Sequence, residues 1–338
     1  MNKELKDMET EKWNVGQILE ASGSYWKSCT LHAGVKLDVF SLIRDQELTG
    51  QEVASMLGAD AEGIKRLLNA LTAMGLLKKN KDMYANTPES KSFLAKESTD
   101  YVGHIIMHHH HLVYAWSQLP QAVQSGEQVR ERSSFSEGEE RESFLMGMFN
   151  LAMNIAPRVA EQIDLKGRRH LLDLGGGPGT YAIHFCLSNP DLRATVYDLP
   201  TTRPFALRTI ERFELNNRIN FIEGDYVEER VEGSYDVAWL SHILHGEGPE
   251  DCQEILRKTV SVVETGGLIL IHDFILNDDF DGPLFPALFS LNMLINTPEG
   301  QSYSENQIRS MLAGVGVKEI QRLPFRGPND SGIIIGIV

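Results

Sequence analysis

The 338-residue chain carries 47 Asp and Glu against 32 Lys and Arg, a formal net charge of −15. Such an excess repels phosphate backbones and anionic lipid, which sets aside nucleic acid and membrane surfaces as general partners. Hydrophobic residues at 42% and charged residues at 23% suit a globular protein with a sizeable core, in one large domain or two.

Residues 1–12 read as a polar lead-in without the apolar segment of a signal peptide. Apolar residues then recur at helical spacing through Ile18, Leu19, Tyr25 and Trp26, and again from Leu31 to Ile43. Thr49 followed by Glu52 forms a capping box that opens a short helix with Val53 and Leu57, ended by Gly58. A second helix over 61–74 puts Ile64, Leu67, Leu68 and Leu71 on one face and stops at Gly75. Leu76-Leu77, a Lys/Asn/Asp turn and Met83-Tyr84 then read as a hairpin, completing a winged-helix pattern. A DNA reader would show a basic excess on the second helix, where Asp60 and Glu62 balance Lys65 and Arg66.

Residues 90–165 read as mostly helical, with a polar stretch over 125–141. His104, His108 and His111 share a helical face, but no Cys or acid nearby in sequence completes a metal site. Cys29, Cys186 and Cys252 lie far apart, so neither a disulfide framework nor a CxxC site is implied, and a reducing cytoplasm fits. No apolar run approaches the ~18 residues of a membrane span.

From Arg168 strands and helices alternate. Strands are expected at 170–174, 194–198, 219–223, 235–240, 267–272, 317–323 and 332–338, the last entering antiparallel. This is the pattern of an α/β, doubly wound, Rossmann-like sheet. Its first strand runs through Leu171-Leu-Asp-Leu into Gly175, Gly176, Gly177, Pro178 and Gly179, a turn that lets a ligand approach the backbone. Asp198 closes the next strand and can accept both hydroxyls of a ribose. Asp225 and Tyr226, after the third strand, offer a carboxylate and a ring to an adenine. The spacing is GxGxG, not the dinucleotide GxGxxG, and no basic residue waits for a pyrophosphate. S-adenosylmethionine (SAM), a nucleoside without phosphate, fits these features. His245, after the fourth strand, faces the same crevice; the residues alone leave open a general base on an acceptor hydroxyl or an ordinary loop histidine. Asp273, after the fifth, reads as the acid orienting His245 or as a cap.

Together LTGQEVASMLG, IKRLLNALTAMGLL, LLDLGGGPGTYA, YDLP, GDY, SHILH and GGLILIHDFIL resemble the plant-type small-molecule O-methyltransferases and their bacterial relatives, a family that includes caffeate and hydroxyindole methyltransferases. The resemblance spans nearly the whole chain. It implies a winged-helix homodimerisation domain over 1–100, a helical connection over 101–165 contributing to the acceptor pocket, and a SAM-binding domain over 166–338. It also implies SAM contacts at Gly175, Gly177, Asp198, Leu199, Asp225, Tyr226 and Ser241, and a catalytic pair of His245 and Asp273. Met148, Phe289, Asn292 and Met293 would wall a small, aromatic acceptor, and no metal is required. The chain departs from the plant pattern in three places. Ser241 stands for Lys, Gly246-Glu247 for Asp-Trp, and Ser302-Tyr303-Ser304 for Glu-Arg-Thr. Two alternatives remain at this stage: a same-fold enzyme acting on carbon, nitrogen or sulfur, or one that has left methyl transfer, and a SAM-responsive DNA-binding regulator.

Overall fold

A computed structural model describes residues 12–133 and 138–338. Most of the expected polar lead-in and four residues of the polar stretch lie outside these. The chain separates into two compact units, Met1–His110 and His111–Val338, the boundary falling inside the helix Gly103–Ser117.

The first unit is mostly helical with a small antiparallel sheet, β1 (Leu48–Thr49), β2 (Leu77–Asn80) and β3 (Met83–Asn86), in the order β1-β3-β2. The expected capping box is formed. Thr49 Oγ1 accepts from the Glu52 amide at 3.2 Å, and Glu52 Oε2 accepts from the Thr49 amide at 2.7 Å. Gly58 and Gly75 follow their helices at φ 60° and 77°, the left-handed region where glycine carries no steric penalty. Ile64, Leu68 and Leu71 are buried with Phe40, Ile43 and Val53, while Leu67 packs at the edge of this core. The helix expected through 31–43 is broken: Tyr25–Lys36 and Val39–Ile43 are separate, because Asp38 adopts φ 56°. The periodic apolar residues before it are not core either. Ile18, Leu19, Tyr25 and Trp26 are all exposed, so their spacing marks a face left uncovered within this unit. The His110 Nε2 lies 3.1 Å from the Lys36 ammonium, and burial together with His110 and His109 lowers the His32 pKa to about 4.

The second unit holds a seven-stranded sheet: β4 (His170–Leu174), β5 (Arg193–Asp198), β6 (Ile219–Glu223), β7 (Tyr235–Ser241), β8 (Val263–Phe274), β9 (Lys318–Arg322) and β10 (Ser331–Ile337). The order is β6-β5-β4-β7-β8-β10-β9, with β10 antiparallel to both neighbours. Side chains alternate between two cores, as the period of two demands. Leu171, Val196, Trp239 and Leu270 face the helices Ala156–Gln162, Thr180–Ser188 and Arg203–Arg212. Leu172, Leu174, Leu240 and Ile271 face Pro249–Val262 and Glu305–Gly314. The parallel register aligns Leu174 with Tyr197 and Leu240, and Leu240 with Ile271. Four strands therefore end level, and β4 is the switch point where successive connections leave in opposite directions, the usual crevice of such sheets. Among the described residues, no helix is long and apolar enough to cross a membrane.

Trp239 is fully buried, its ring 5.0–5.6 Å from those of Tyr181, Phe185 and His272, and its indole N–H has no partner among the described residues. Trp239→Ala should cost about 3–5 kcal/mol in urea unfolding. Trp239→Phe should stay within about 1–2 kcal/mol, because it also removes a buried donor left unpaired.

Candidate active site

The glycine turn is dictated by its surroundings. Gly175 sits at φ 61° and Gly177 at φ 54°, and a Cβ on Gly175 would come within 2.5 Å of Ile243 Cδ1. A Cβ on Gly176 would meet the Asp173 carboxylate at 2.6 Å. The Tyr226 ring lies against the same turn, 3.2 Å from the place of a Gly175 Cβ. Asp198 reaches across from β5: its Oδ2 accepts from the Gly177 amide at 2.8 Å. Its Oδ1 accepts from the Leu199 amide and the Thr202 hydroxyl, both at 2.7 Å. Burial raises the Asp198 pKa and these donors oppose it, with Arg141 adding its charge. Arg141 itself donates to Thr201 and Thr202 at 2.6 and 2.9 Å. The structure thus brings Gly175, Gly177, Asp198, Leu199 and Tyr226 together. Asp225, beside them, uses Oδ1 to accept from the Val227 amide at 2.9 Å.

Ser241, at the end of β7, turns toward the sheet interior. Its hydroxyl lies 2.9 Å from His272 Nδ1, and the far side of that ring, Nε2, lies 3.1 Å from the Ser331 hydroxyl. Burial and the nearby His242 hold the His272 pKa well below the ordinary value, so this buried imidazole is neutral.

His245 lies in the short turn Leu244–Gly246, and its Nδ1 is 2.6 Å from Asp273 Oδ1. Its backbone amide donates weakly to Oδ2 at 3.4 Å, and the Phe274 amide donates to Oδ1 at 2.8 Å. Burial alone would raise the Asp273 pKa, but the two imidazoles of His245 and His242 outweigh it and keep the carboxyl far below its usual range. His242 Nδ1 is 3.6 Å from the same oxygen and the residue adopts φ 57°, rare for a side chain with a Cβ. His242, His245 and Asp273 present nitrogen and oxygen atoms within 4.8 Å of one another. The 2.6 Å contact is a charge-assisted hydrogen bond, shorter than the ~3.3 Å that two ligands ~2.0–2.1 Å from a tetrahedral metal keep between them.

Rings surround this pair. Phe289 meets His245 edge-on at 4.7 Å, Phe274 stacks over it at 6.3 Å, and Phe285 lies 4.9 Å from Phe274. Phe274 and Phe285 escaped the sequence reading, although one follows Asp273 directly and the other precedes Phe289 by one helical turn. Met293 is buried on the same helix, Leu284–Asn296. Asn292 Oδ1 accepts from the Trp116 indole at 3.0 Å and from Asn296 at 3.2 Å. Met148 is half-buried on Gly138–Met153, the helix that carries Arg141. At the position of the missing family acid, Ser302 is buried and donates to the Pro286 carbonyl at 2.8 Å, while Ser304 caps the helix Glu305–Gly314.

Asp173 is fully buried beneath the turn. Its Oδ2 accepts from the Ala182 amide at 3.1 Å, but its Oδ1 has no partner among the described residues. Burial pushes its pKa up to about 7, with Asp198 adding to the rise. A carboxyl raised on folding stabilises the fold below its unfolded pKa and loses that contribution as pH rises through about 7. The unfolding free energy of the wild type relative to Asp173→Asn should therefore fall by on the order of 4 kcal/mol between pH 4 and 8. Paired denaturant titrations would measure it.

An O-methyltransferase domain model matches residues 116–318, and an O-methyltransferase dimerisation domain model matches residues 19–96. The chain is 30% identical to the 3-hydroxy-5-methyl-1-naphthoate 3-O-methyltransferase of Streptomyces sahachiroi, over 95% of this chain and 94% of that protein. It is 29% identical to the tetracenomycin polyketide synthesis 8-O-methyl transferase TcmO of Streptomyces glaucescens, over 94% and 96%. The structure of an O-methyltransferase family protein from Burkholderia thailandensis superposes with a TM-score of 0.86 at 29% identity, covering 96% of this chain and 98% of that one. With both models matched in order and the full length shared, the chain belongs to the SAM-dependent O-methyltransferase family and carries its N-terminal dimerisation domain.

Proposed function

We propose that the protein methylates a hydroxyl of a small, planar aromatic acceptor, with His245 as general base and Asp273 as the group that orients it. The observation that carries this reading is the 2.6 Å bond from His245 to Asp273 inside a wall of three phenylalanine rings. A phenol, with a pKa near ~10, keeps its proton at neutral pH, so a base within reach adds ~10²–10⁴-fold. Asp273 accepts at Nδ1, which assigns the proton to that nitrogen and leaves the Nε2 lone pair to take the acceptor's proton. The carboxylate then stabilises the imidazolium. Phe274, Phe285 and Phe289 suit an aromatic plane, and Asn292, Met293 and Met148 are assigned to its rim. Nothing in this arrangement calls for a metal.

The fit to SAM rests on the glycine turn, where the backbone of Gly177 faces open space, and on Asp198 and Tyr226 beside it. When bound, SAM supplies an electrophilic methyl group on a sulfonium that leaves readily. Asp198 is assigned to the ribose hydroxyls, exchanging one of its present local donors for them. Leu199, Asp225 and Tyr226 are assigned to the adenine, and Ser241 to the edge of the same site, although here it bonds His272. Residues 166–338 hold the cofactor, and the helix Gly138–Met153 contributes to the acceptor wall through Met148. Residues 1–100 pair two copies into a homodimer, using the exposed face of Ile18, Leu19, Tyr25 and Trp26. The chain acts in the cytoplasm, without nucleic acid or membrane.

With radiolabelled SAM and a panel of hydroxynaphthoates, His245→Ala should lower turnover ~10²–10⁴-fold and leave SAM affinity within about twofold by calorimetry. Unchanged turnover would remove the base assignment. Asp198→Ala should raise the SAM Kd at least about tenfold, the loss expected for a charge-assisted hydrogen bond; wild-type affinity would count against the ribose contact.

A further inference from the structure

Gly246 and Glu247, where this chain departs from the plant-type pattern, stand directly after His245. One distant side chain accounts for both. Arg132 Nη1 donates to Glu247 Oε1 at 2.5 Å, with the two side chains only 25% and 11% exposed. The guanidinium lies over Gly246 so closely that a Cβ there would collide with it. The same guanidinium charge acts on Tyr226, whose ring packs on the Gly175 turn. From its other side Glu247 is fixed through its carbonyl, which accepts from the Tyr303 hydroxyl at 2.6 Å. A carboxylate this buried needs a counter-charge, and a planar fork can serve two partners at once. A neutral residue at 132 would leave Glu247 without that charge, and a lysine would supply it without the planar fork.

We propose that Arg132 is a positioning residue for methyl transfer. Through Glu247 and Tyr226 it ties the loop after β7, which carries His245, to the loop after β6, which backs the glycine turn. Base and cofactor wall then keep one separation. The proposal extends the reading of His245 as base, and an error of ~1 Å in such a separation costs ~10²-fold in rate.

The test is a double-mutant cycle on the full-length protein with Arg132→Met, Glu247→Gln and the pair. SAM itself is the probe, its Kd read by calorimetry, and the His245 ring Cε1–Hε1 signal is followed by NMR, assigned by its loss in His245→Gln. Each single variant should raise the SAM Kd about fivefold to tenfold and shift the His245 signal. The pair should be no worse than the poorer single, because the two act as one unit. A melting temperature for the pair within a few degrees of wild type guards against unfolding, since the pair strands no buried charge. Losses that multiply in the pair, an unchanged SAM Kd, or an unmoved His245 signal would overturn the proposal. SAM binding does not require the base, so a failed His245→Ala turnover test would leave this cycle readable on its own terms.

Discussion

Burial works against a charged carboxylate, and the crevice edge of this sheet gathers the donors that keep Asp273 ionised in spite of it. The residue stands one before the end of β8, with β7 on one side and β10 on the other. Two backbone amides and two imidazoles converge on it. Each donor comes from a place that the sheet register fixes: His242 and His245 follow β7, and the Phe274 amide follows Asp273 itself. A misplaced register would leave the charge stranded, at a cost of several kcal/mol. The level strand ends are therefore an electrostatic requirement as well as a packing outcome.

The same edge separates charged from neutral. His272, one residue before Asp273, points to the other face and is sealed among Trp239, Tyr181 and Phe325. It stays neutral and joins β7 to β10 through two serine hydroxyls. Neighbouring residues on one strand thus hold opposite electrostatic states because alternate side chains face opposite sides. Asp173 takes a third state, an acid buried with one oxygen unpartnered under the cofactor turn.

Much of this was legible from local pattern. The capping box at Thr49, the glycines at 58 and 75 and the alternation of strands each act within a few residues, so their signals survive in one sequence. The antiparallel last strand could be read because the final two candidates lie too close for a crossover helix. The level placement of Gly175, Asp198 and Tyr226 followed from strand ends alone. What stayed hidden depends on partners far apart in the chain. Arg132 finds Glu247 across 115 positions, and Trp116 finds Asn292 across 176. Asp38 is a residue type that tolerates a left-handed backbone, but that tolerance alone does not mark the break. Periodicity at Ile18 and Leu19 gave a helix correctly, yet it could not say that the apolar face would be left open.

The helix Leu284–Asn296 carries Phe285, Phe289, Asn292 and Met293, whereas His245 and Asp273 belong to the sheet edge. On the proposed reading, selectivity and reactivity are inherited from different parts of the chain. Substitutions along one helix can exchange one ring system for another while the proton-handling pair stays as it is. A lineage built this way diversifies mainly in its acceptor wall, and its chemistry is a poor guide to what each descendant consumes.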